Sequence, residues 1–190
     1  MTEMVPLTTT PTRVKLRVED YLLLDEAGAF AAYGKTELLD GEIVYMNAQH
    51  RPHARAKMVL YDTLRDALRA IGSPLTVMVE VSVALSPNDA PEPDLTLTSE
   101  PGGKGLIPGH SVALVVEVSD TTLDDDLRLK PRIYAAAGVP EYWVADVNGR
   151  TIHQMWAPDN TVYRNSATVA AGDILMAATI NGLTIDTSGL

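Results

Sequence analysis

The segment that most constrains the fold is residues 112–118, Val-Ala-Leu-Val-Val-Glu-Val, in which one glutamate interrupts an apolar run. A short run rich in β-branched residues is typical of a strand that is buried on both faces of a sheet. An ionised Glu117 is strongly disfavoured there unless a partner compensates its charge. A second acid, Asp94, directly precedes the segment Leu-Thr-Leu. The sequence therefore predicts an acidic site within a central sheet, and a hard metal cation is the natural partner for its carboxylates.

The composition is that of one ordinary globular domain. The chain has 190 residues, of which 46% are hydrophobic and 21% are charged, so it is long enough to bury a substantial core. The absence of cysteine from the sequence excludes disulfides, thiolate metal sites and cysteine nucleophiles. We expect a flexible arm over residues 1–15, where three threonines lie between two prolines, and a single domain over residues 16–190.

Hydropathy and net charge indicate the expected cellular location and the classes of ligand that are disfavoured. No apolar stretch is long enough to span a membrane, and the N-terminus lacks the basic and apolar regions of a signal peptide. We therefore expect a cytoplasmic protein that does not bind membranes. The formal net charge of −10 argues against broad, non-specific affinity for nucleic acid. Any nucleic-acid role must rest on a local basic surface or on metal ions that bridge phosphates.

The order of the predicted elements indicates an α/β domain with a mixed sheet. Asp40-Gly41 between two apolar segments is a strong signal for a two-residue hairpin turn. This turn pairs residue 39 with 42 and residue 37 with 44, so Glu37 and Glu42 are expected on one face. The predicted helices are residues 18–30, 53–71 and 123–137, the predicted strands are the hairpin 37–46 and residues 75–85, 94–98, 112–118 and 141–147, and a β meander follows to the C-terminus.

Several short motifs follow one another in a characteristic order within residues 18–157. They are Glu-Leu-Leu-Asp-Gly-Glu at 37–42, His53, Pro-Asp at 93–94, Glu-Val-Ser at 117–119, Asp-Leu-Arg-Leu-Lys-Pro at 126–131, Tyr134 and Ala-Gly-Val-Pro-Glu-Tyr-Trp-Val-Ala-Asp at 137–146. In this combination the sequence resembles the Uma-two family of the restriction-endonuclease-like PD-(D/E)XK superfamily. The resemblance implies a restriction-endonuclease-like core, with a mixed central β-sheet flanked by helices, an added N-terminal hairpin and C-terminal β strands. It also implies hydrolysis of phosphodiester bonds, with DNA as the expected substrate, by an endonuclease that depends on Mg²⁺ or Mn²⁺.

The predicted chemistry centres on Asp94 and Glu117. Pairing of their strands would bring two anionic oxygens within reach of one Mg²⁺ or Mn²⁺, and the carbonyl of Val118 could supply a third oxygen. Such an ion would polarise the scissile phosphate and lower the pKa of the attacking water. The alternative is that Asp94 merely follows a proline turn and that Glu117 forms a buried ion pair.

The sequence departs from the superfamily pattern at Ser119, which occupies the position of the usual strand lysine. The resemblance implies that Lys130 on the following helix replaces it as the group that orients water, although a solvated surface lysine is the alternative. Pro131 would kink that helix, so the helix could effectively begin near Lys130. Glu37 matches the family's first acidic position, with a solvent-facing hairpin carboxylate as the alternative.

A dense basic patch on the second predicted helix could contact phosphates, although a solvated helix face is the default interpretation. Its candidate nucleic-acid-binding residues are Arg51, His53, Arg55 and Lys57. Other residues receive structural interpretations. Glu80 would form a cross-strand salt bridge or bind metal. Asp126 would interact favourably with the dipole at the helix N-terminus and pair with Lys130 four residues later. The aromatic residues Tyr134, Tyr142 and Trp143 would anchor the core.

Two other functions stay open on the sequence alone. Ser119 and the acidic net charge favour a catalytically inactive interaction domain that retains the nuclease fold. A metal-dependent hydrolase of another phosphoester is the second alternative. The expected partner is nucleic acid, with DNA first, and a homodimer is a further assembly to be tested.

Overall fold

The structure is a computed structural model that describes residues 11–46, 49–100 and 102–190. Four α-helices and twelve strands are assigned within these residues. The helices are α1 (Val18–Glu26), α2 (Arg51–Ala70), α3 (Leu123–Arg128) and α4 (Lys130–Ala136). The strands are β1 (Lys35–Leu39), β2 (Glu42–Met46), β3 (Thr76–Val79), β4 (Val83–Ala84), β5 (Leu95–Thr98), β6 (Ile107–Pro108), β7 (Val112–Ser119), β8 (Glu141–Asp146), β9 (Thr151–Asp159), β10 (Val162–Ala170), β11 (Ile174–Met176) and β12 (Thr184–Asp186).

A six-stranded mixed sheet organises the domain, in the order β10-β9-β8-β7-β5-β3. Its one parallel pair is β7 with β8, and the crossover between these two strands carries α3 and α4. Strand β7 lies inside the sheet and is buried along most of its length, as its apolar sequence predicts. The predicted architecture is therefore confirmed, with a mixed sheet flanked by helices, an N-terminal hairpin and C-terminal strands.

The two faces of the sheet have separate cores. On one face, α2 and the C-terminal strands pack against alternate residues of β5, β7 and β8, because side chains along a strand point to opposite faces in turn. On the other face, Val115 and Val144 pack against the crossover helices. The first core includes Leu60, Leu64, Leu95, Leu97, Leu114, Val116, Trp143 and Ile152, and the second includes Val83, Ile107, Val112, Val115, Tyr134, Val139, Tyr142 and Val144.

A buried carboxylate fastens the C-terminal segment to the sheet. Glu141 is fully buried at the start of β8 and accepts hydrogen bonds from the Trp143 indole at 2.6 Å and the Gln154 amide at 2.7 Å. The Thr179 backbone N–H donates to its other oxygen at 2.8 Å, and the Thr179 hydroxyl donates at 2.7 Å. Since these donors compensate its desolvation, Glu141 is a structural acid.

The N-terminal hairpin forms as the sequence predicts. β1 pairs with β2 in the register Leu39 to Glu42 and Glu37 to Val44, around a turn in which Asp40 and Gly41 both have positive φ. The expected arm over residues 1–15 falls largely on residues 1–10, outside the described residues. At its described end, the Lys15 ammonium donates to the Asp40 carboxylate at 2.9 Å and to the Glu42 carboxylate at 3.1 Å.

Two predicted elements are broken in the structure. The alternating segment 75–85 forms β3 and β4 with a gap between them, because Glu80 has a left-handed backbone with φ of 48° and the pairing of β3 with β5 ends at Val79. The predicted helix 123–137 divides at Leu129 into α3 and α4, with Pro131 in the first turn of α4. Proline is tolerated there because its missing N–H has no helical acceptor. The predicted helix 18–30 ends at Glu26.

Among the described residues, no helix is long and apolar enough to cross a membrane.

Candidate active site

The two central acids lie side by side in the sheet. β5 and β7 are antiparallel with Leu95 opposite Val116, so Asp94 lies opposite Glu117 on the same face. The backbone N–H of Asp94 donates to Glu117 Oε2 at 3.4 Å, and the N–H of Val118 donates to Asp94 Oδ2 at 2.8 Å. Asp94 is 4% exposed and Glu117 is 3% exposed. The sheet thus holds two carboxylates together in a site that is almost fully shielded from solvent.

Glu117 is bound by two side chains from α4. Lys130 Nζ lies 2.9 Å from Glu117 Oε1, and the Tyr134 hydroxyl donates to the same oxygen at 2.9 Å. Lys130 and Tyr134 are four residues apart, so they share one face of the helix. The break at Leu129 lets α4 begin at Lys130, close to the end of β7. The crossover thereby brings a lysine to Glu117 from outside β7.

Lys130 is surrounded by more negative charge than it can neutralise. Its ammonium lies 2.9 Å from Glu117, 3.7 Å from Glu37 and 3.7 Å from Asp126. All four side chains are buried. Three carboxylates that share one ammonium in a dry site leave an unbalanced charge that a further cation or a bound proton must offset.

The pKa values of Glu117 and Lys130 reflect this excess of negative charge. Burial raises the pKa of Glu117 to about 8, although the charge of Lys130 opposes the increase and Asp126 adds to it. Burial also favours the neutral form of Lys130, but the charges of Glu117, Glu37 and Asp126 outweigh it and raise the pKa of Lys130 above its ordinary value. The ammonium is therefore retained while the carboxylates compete for positive charge.

Asp94 has partners from α2. Its Oδ2 lies 3.2 Å from His53 Nε2, and Lys57 Nζ donates to its Oδ1 at 3.3 Å. Burial alone would raise the pKa of Asp94, yet the hydrogen bond and charge of His53, the Val118 N–H and the Lys57 charge lower it to about 2. Lys57 also donates to Glu80 at 2.6 Å, which lowers the pKa of Glu80.

The residues of the predicted basic patch on α2 differ in exposure, because two of them are buried and two lie at the surface. His53 and Lys57 are buried and face Asp94, so the interpretation of a solvated helix face is wrong for these two residues. Their positions four residues apart place both on the side of α2 that packs on the sheet. Arg51 and Arg55 are exposed and keep the surface position that the sequence analysis gave them.

Glu37 enters the site from the hairpin. It is 1% exposed, so the alternative of a solvent-facing carboxylate is wrong, and its neighbour on the same hairpin face, Glu42, is the exposed one. Glu37 Oε1 is buried and has no hydrogen-bond partner, and His53 Nδ1 is in the same condition. A buried carboxylate oxygen without a donor is costly, and its presence beside other acids is typical of a site that binds a further group.

The acids form the floor of an open cleft of about 930 Å³. One wall is the hairpin β1–β2, and the opposite wall is the loop after β7 together with α3. The residues that line it include Tyr33, Glu37, Val44, Tyr45, Gln49, His53, Glu80, Asp94, Glu117, Val118, Asp120, Asp126, Leu129 and Lys130. The predicted residues Asp94, Glu117, Val118, Lys130, Glu37 and His53 thus meet in one cavity.

Three residues have a larger part in this site than the sequence indicates. Tyr134 was interpreted as a core anchor, but its hydroxyl holds Glu117. Asp126 pairs with Lys130 as its spacing predicts, yet it is buried and also accepts from the Thr122 hydroxyl at 2.6 Å. Glu80 pairs with Lys57 from a strained backbone position, which is often found at functional sites. The four-residue spacing from Asp126 to Lys130 to Tyr134 is the signal that could have identified the first two.

Comparison with known proteins identifies the family. A family model named Uma2, with the description "Putative restriction endonuclease", matches residues 18–188. The crystal structure of "a putative nuclease belonging to DUF820" from Anabaena variabilis ATCC 29413 matches with a TM-score of 0.69 at 11% sequence identity, over 92% of this chain and 96% of that chain. At this identity the likeness shows a shared fold. No curated protein matches the sequence significantly. Because the family model covers most of the chain, this protein belongs to the Uma2, or Uma-two, family.

Proposed function

We propose that this protein is an endonuclease that uses Mg²⁺ or Mn²⁺ to hydrolyse phosphodiester bonds in DNA. The observation that carries the proposal is the excess of buried carboxylate on the floor of an open cleft. Asp94, Glu117, Glu37 and Asp126 meet there, and the ammonium groups that contact them are Lys57 and Lys130. Membership of a family with the description "Putative restriction endonuclease" supports the same reaction class.

The donor set suits a hard divalent cation. Asp94 and Glu117 would hold the ion through carboxylate oxygens, and the carbonyl of Val118 would add a third oxygen. The unpartnered Oε1 of Glu37 lies on the same cleft and stays free of the ion in this arrangement. Within residues 11–46, 49–100 and 102–190, no group of three or more His, Asp or Glu side chains is placed so that it could hold a metal ion, so the protein would supply few side-chain ligands. Water and substrate phosphate oxygens would therefore complete the shell, as is usual for Mg²⁺.

The chemistry that such an ion supplies is polarisation of the phosphate and a lower pKa for the attacking water. Lys130 would then be released from part of its interaction with Glu117 and would donate a hydrogen bond to the water or to a phosphate oxygen. Glu37 would accept a proton from that water through its free oxygen. Tyr134 would keep the Glu117 carboxylate oriented while Lys130 moves.

A second function has one observation in its favour. Each central carboxylate already forms an ion pair with a lysine, Asp94 with Lys57 and Glu117 with Lys130. Position 119 carries a serine. A domain that had lost its nuclease chemistry could satisfy its buried acids in this way. The catalytically inactive interaction domain is therefore the alternative that an activity test must exclude.

The test is cleavage of plasmid and linear DNA in Mn²⁺, Mg²⁺ or a chelator by the protein and by Asp94→Asn and Glu117→Gln. These variants keep the side-chain volume while removing the charge. We expect metal-dependent cleavage that each variant lowers by about 10²-fold or more, which is the scale for losing a positioned electrostatic group. The matched control is Asp186→Asn, an exposed carboxylate of β12, which should cleave like the unaltered protein. Cleavage at the same rate in the Asp94→Asn preparation would show that the activity comes from a contaminant, which would refute the proposal and favour the inactive domain.

A further inference from the structure

The rim of the cleft is apolar although its floor is acidic. Four large apolar side chains border the opening and are exposed, Tyr33 by 51%, Val44 by 39%, Tyr45 by 59% and Leu129 by 41%. We call these four residues the apolar rim. Three of them belong to the hairpin side and one to the helix side, so they face the opening from both walls. Exposed apolar groups gathered at one opening are typical of a binding surface.

Two members of the rim are paired aromatic rings. The rings of Tyr33 and Tyr45 have centroids 5.4 Å apart and are tilted by 47°. Tyr33 lies just before β1, and Tyr45 lies in β2 opposite Thr36. Each ring is supported by the other and still exposes half or more of its surface. This arrangement offers an aromatic surface on which a flat ligand could stack.

The rim is adjacent to the acids along both walls. Val44 is the cross-strand partner of Glu37, so the two side chains share one face of the hairpin. Leu129 directly precedes Lys130 at the junction of α3 and α4. A ligand that contacts Val44 or Leu129 would therefore extend towards the carboxylates and the lysine. Tyr45 points to the other face of β2 and is related to the acids as part of the lining of the same cleft.

The charge of the cleft disfavours duplex DNA as the ligand. Seven acidic residues line it, against two lysines, and the described lining residues include no arginine. Lys35 lies 3.5 Å from Glu92, and Lys130 is buried among carboxylates, so both lysines are already paired. Duplex recognition relies largely on basic contacts along the phosphate backbone, and these walls supply few of them.

We propose that the cleft takes an unpaired nucleotide, with its base against the apolar rim and its phosphate at the acidic floor. This inference rests on the proposed nuclease function and specifies its substrate class as single-stranded or locally unpaired DNA. Stacking on aromatic side chains contributes about 1–3 kcal/mol per base, in addition to the charged contacts that single-strand sites make to the phosphates. A base that is already unpaired avoids the energetic cost of leaving the duplex stack.

The test measures binding in Ca²⁺, to avoid turnover, with one DNA sequence as a single strand, as a duplex and as a duplex with a central unpaired bubble. A 2-aminopurine in the single strand reports stacking through its fluorescence. We expect the single strand and the bubble to bind about tenfold or more tightly than the duplex, with quenching of the 2-aminopurine. Tyr45→Ala should weaken single-strand binding by about tenfold, and Tyr45→Phe should retain it because the ring is kept.

Controls separate this inference from general effects. Met58→Ala removes an exposed apolar side chain of α2 that does not line the cleft, and it should bind like the unaltered protein. Sedimentation of Tyr45→Ala shows whether the rim mediates self-association. If Tyr45→Ala changes the oligomeric state and leaves DNA binding intact, the rim is a contact between copies and the inference is overturned.

The outcome can be distinguished from that of the nuclease proposal. Mn²⁺-dependent cleavage of duplex and single strand at equal rates, unaffected by Tyr45→Ala, would overturn the unpaired-base inference and leave the nuclease intact. Preferential binding of single strands that depends on Tyr45, without cleavage by the unaltered protein, would support the base site and overturn the nuclease. Failure to bind any of the three DNA forms would overturn the inference.

Discussion

Lys130 holds together carboxylates from three different parts of the chain, namely Glu37 in the hairpin, Glu117 in β7 and Asp126 in α3. Its ammonium is the nearest positive charge to Glu117. Removal of one partner from a buried ion pair leaves the remaining charge desolvated and unpaired, which costs more than the pair itself contributes. Lys130 is therefore a stabilising residue in addition to its proposed role in catalysis.

This dual role gives a prediction for Lys130→Ala. The substitution should lower the free energy of unfolding by about 3–5 kcal/mol, because three buried carboxylates lose their shared cation. Urea denaturation measures the change. Lys104→Ala, at an exposed position, is the control and should lie within about 0.5 kcal/mol of the unaltered protein. Equal stability of the two variants would show that Lys130 is not the ion-pair centre described here.

The sequence predicted which individual residues belong to the site better than it predicted the surroundings of their side chains. The apolar surroundings of Glu117 could be read from residues 112–118, because a run of that composition is buried in most contexts. The burial of Lys130 could not be read, because it depends on where the break at Leu129 directs α4. A solvated surface lysine was one of the two interpretations of Lys130, and its burial in the structure excludes that one.

The hairpin β1–β2 is the element that brings Glu37 into the site and forms one wall of the cleft. Its turn depends on Gly41, which has a φ of 69°. A Cβ at this position would lie 2.7 Å from the Cβ of Lys15, so a side chain would add a collision to the backbone strain. The position of the hairpin, and with it Glu37, is thus fixed by close contact with the N-terminal segment.

Gly41→Ala should destabilise the protein more than Gly34→Ala does. Gly34 has a similar φ of 67° but open space around the position of a Cβ, so its substitution measures the backbone strain alone. That strain is about 1–2 kcal/mol, and the collision at Gly41 should add about 1–3 kcal/mol. Thermal or urea unfolding of both variants makes the comparison. Equal losses would mean that the Lys15 contact does not constrain the turn.

The elements that followed a local rule were predictable, and those set by tertiary pairing were not. Asp40-Gly41 specified the hairpin register because that turn type requires positive φ at both central residues. The alternation over residues 75–85 continues through Glu80, so the pattern alone could not show that the strand breaks there. The break occurs because β5 pairs only as far as Val79 before the chain turns away.

At the scale of the whole molecule, the sheet brings together groups that are distant in sequence. Asp94 and Glu117 come from neighbouring strands, Lys57 from a helix on one side and Lys130 from the crossover on the other. The resemblance on short motifs predicted this fold correctly, and the match to a structure of only 11% identity shows that the architecture persists when most side chains differ. Three of the four rim residues, Tyr33, Val44 and Tyr45, lie outside those motifs, so the motifs could not predict the rim.

A divalent cation that binds the folded site should stabilise the whole protein. At a hundredfold excess over its dissociation constant, a ligand of the native state contributes about 2.7 kcal/mol. For a chain of this size, that corresponds to a rise in melting temperature of about 5–10 °C. Differential scanning fluorimetry with Mn²⁺ measures the shift. Asp94→Asn should abolish the shift and Asp186→Asn should retain it, whereas equal shifts in both would place the ion elsewhere.

The most direct test of a metal site at Asp94 and Glu117 is the anomalous diffraction of crystals soaked in Mn²⁺. If the ion binds there, we expect a peak about 2.1 Å from a carboxylate oxygen of each acid, with the Lys130 ammonium moved away from Glu117 Oε1. The Asp94→Asn variant should lack that peak under the same conditions. A map with no peak between these acids, and with Lys130 still bonded to Glu117, would contradict a metal site at Asp94 and Glu117.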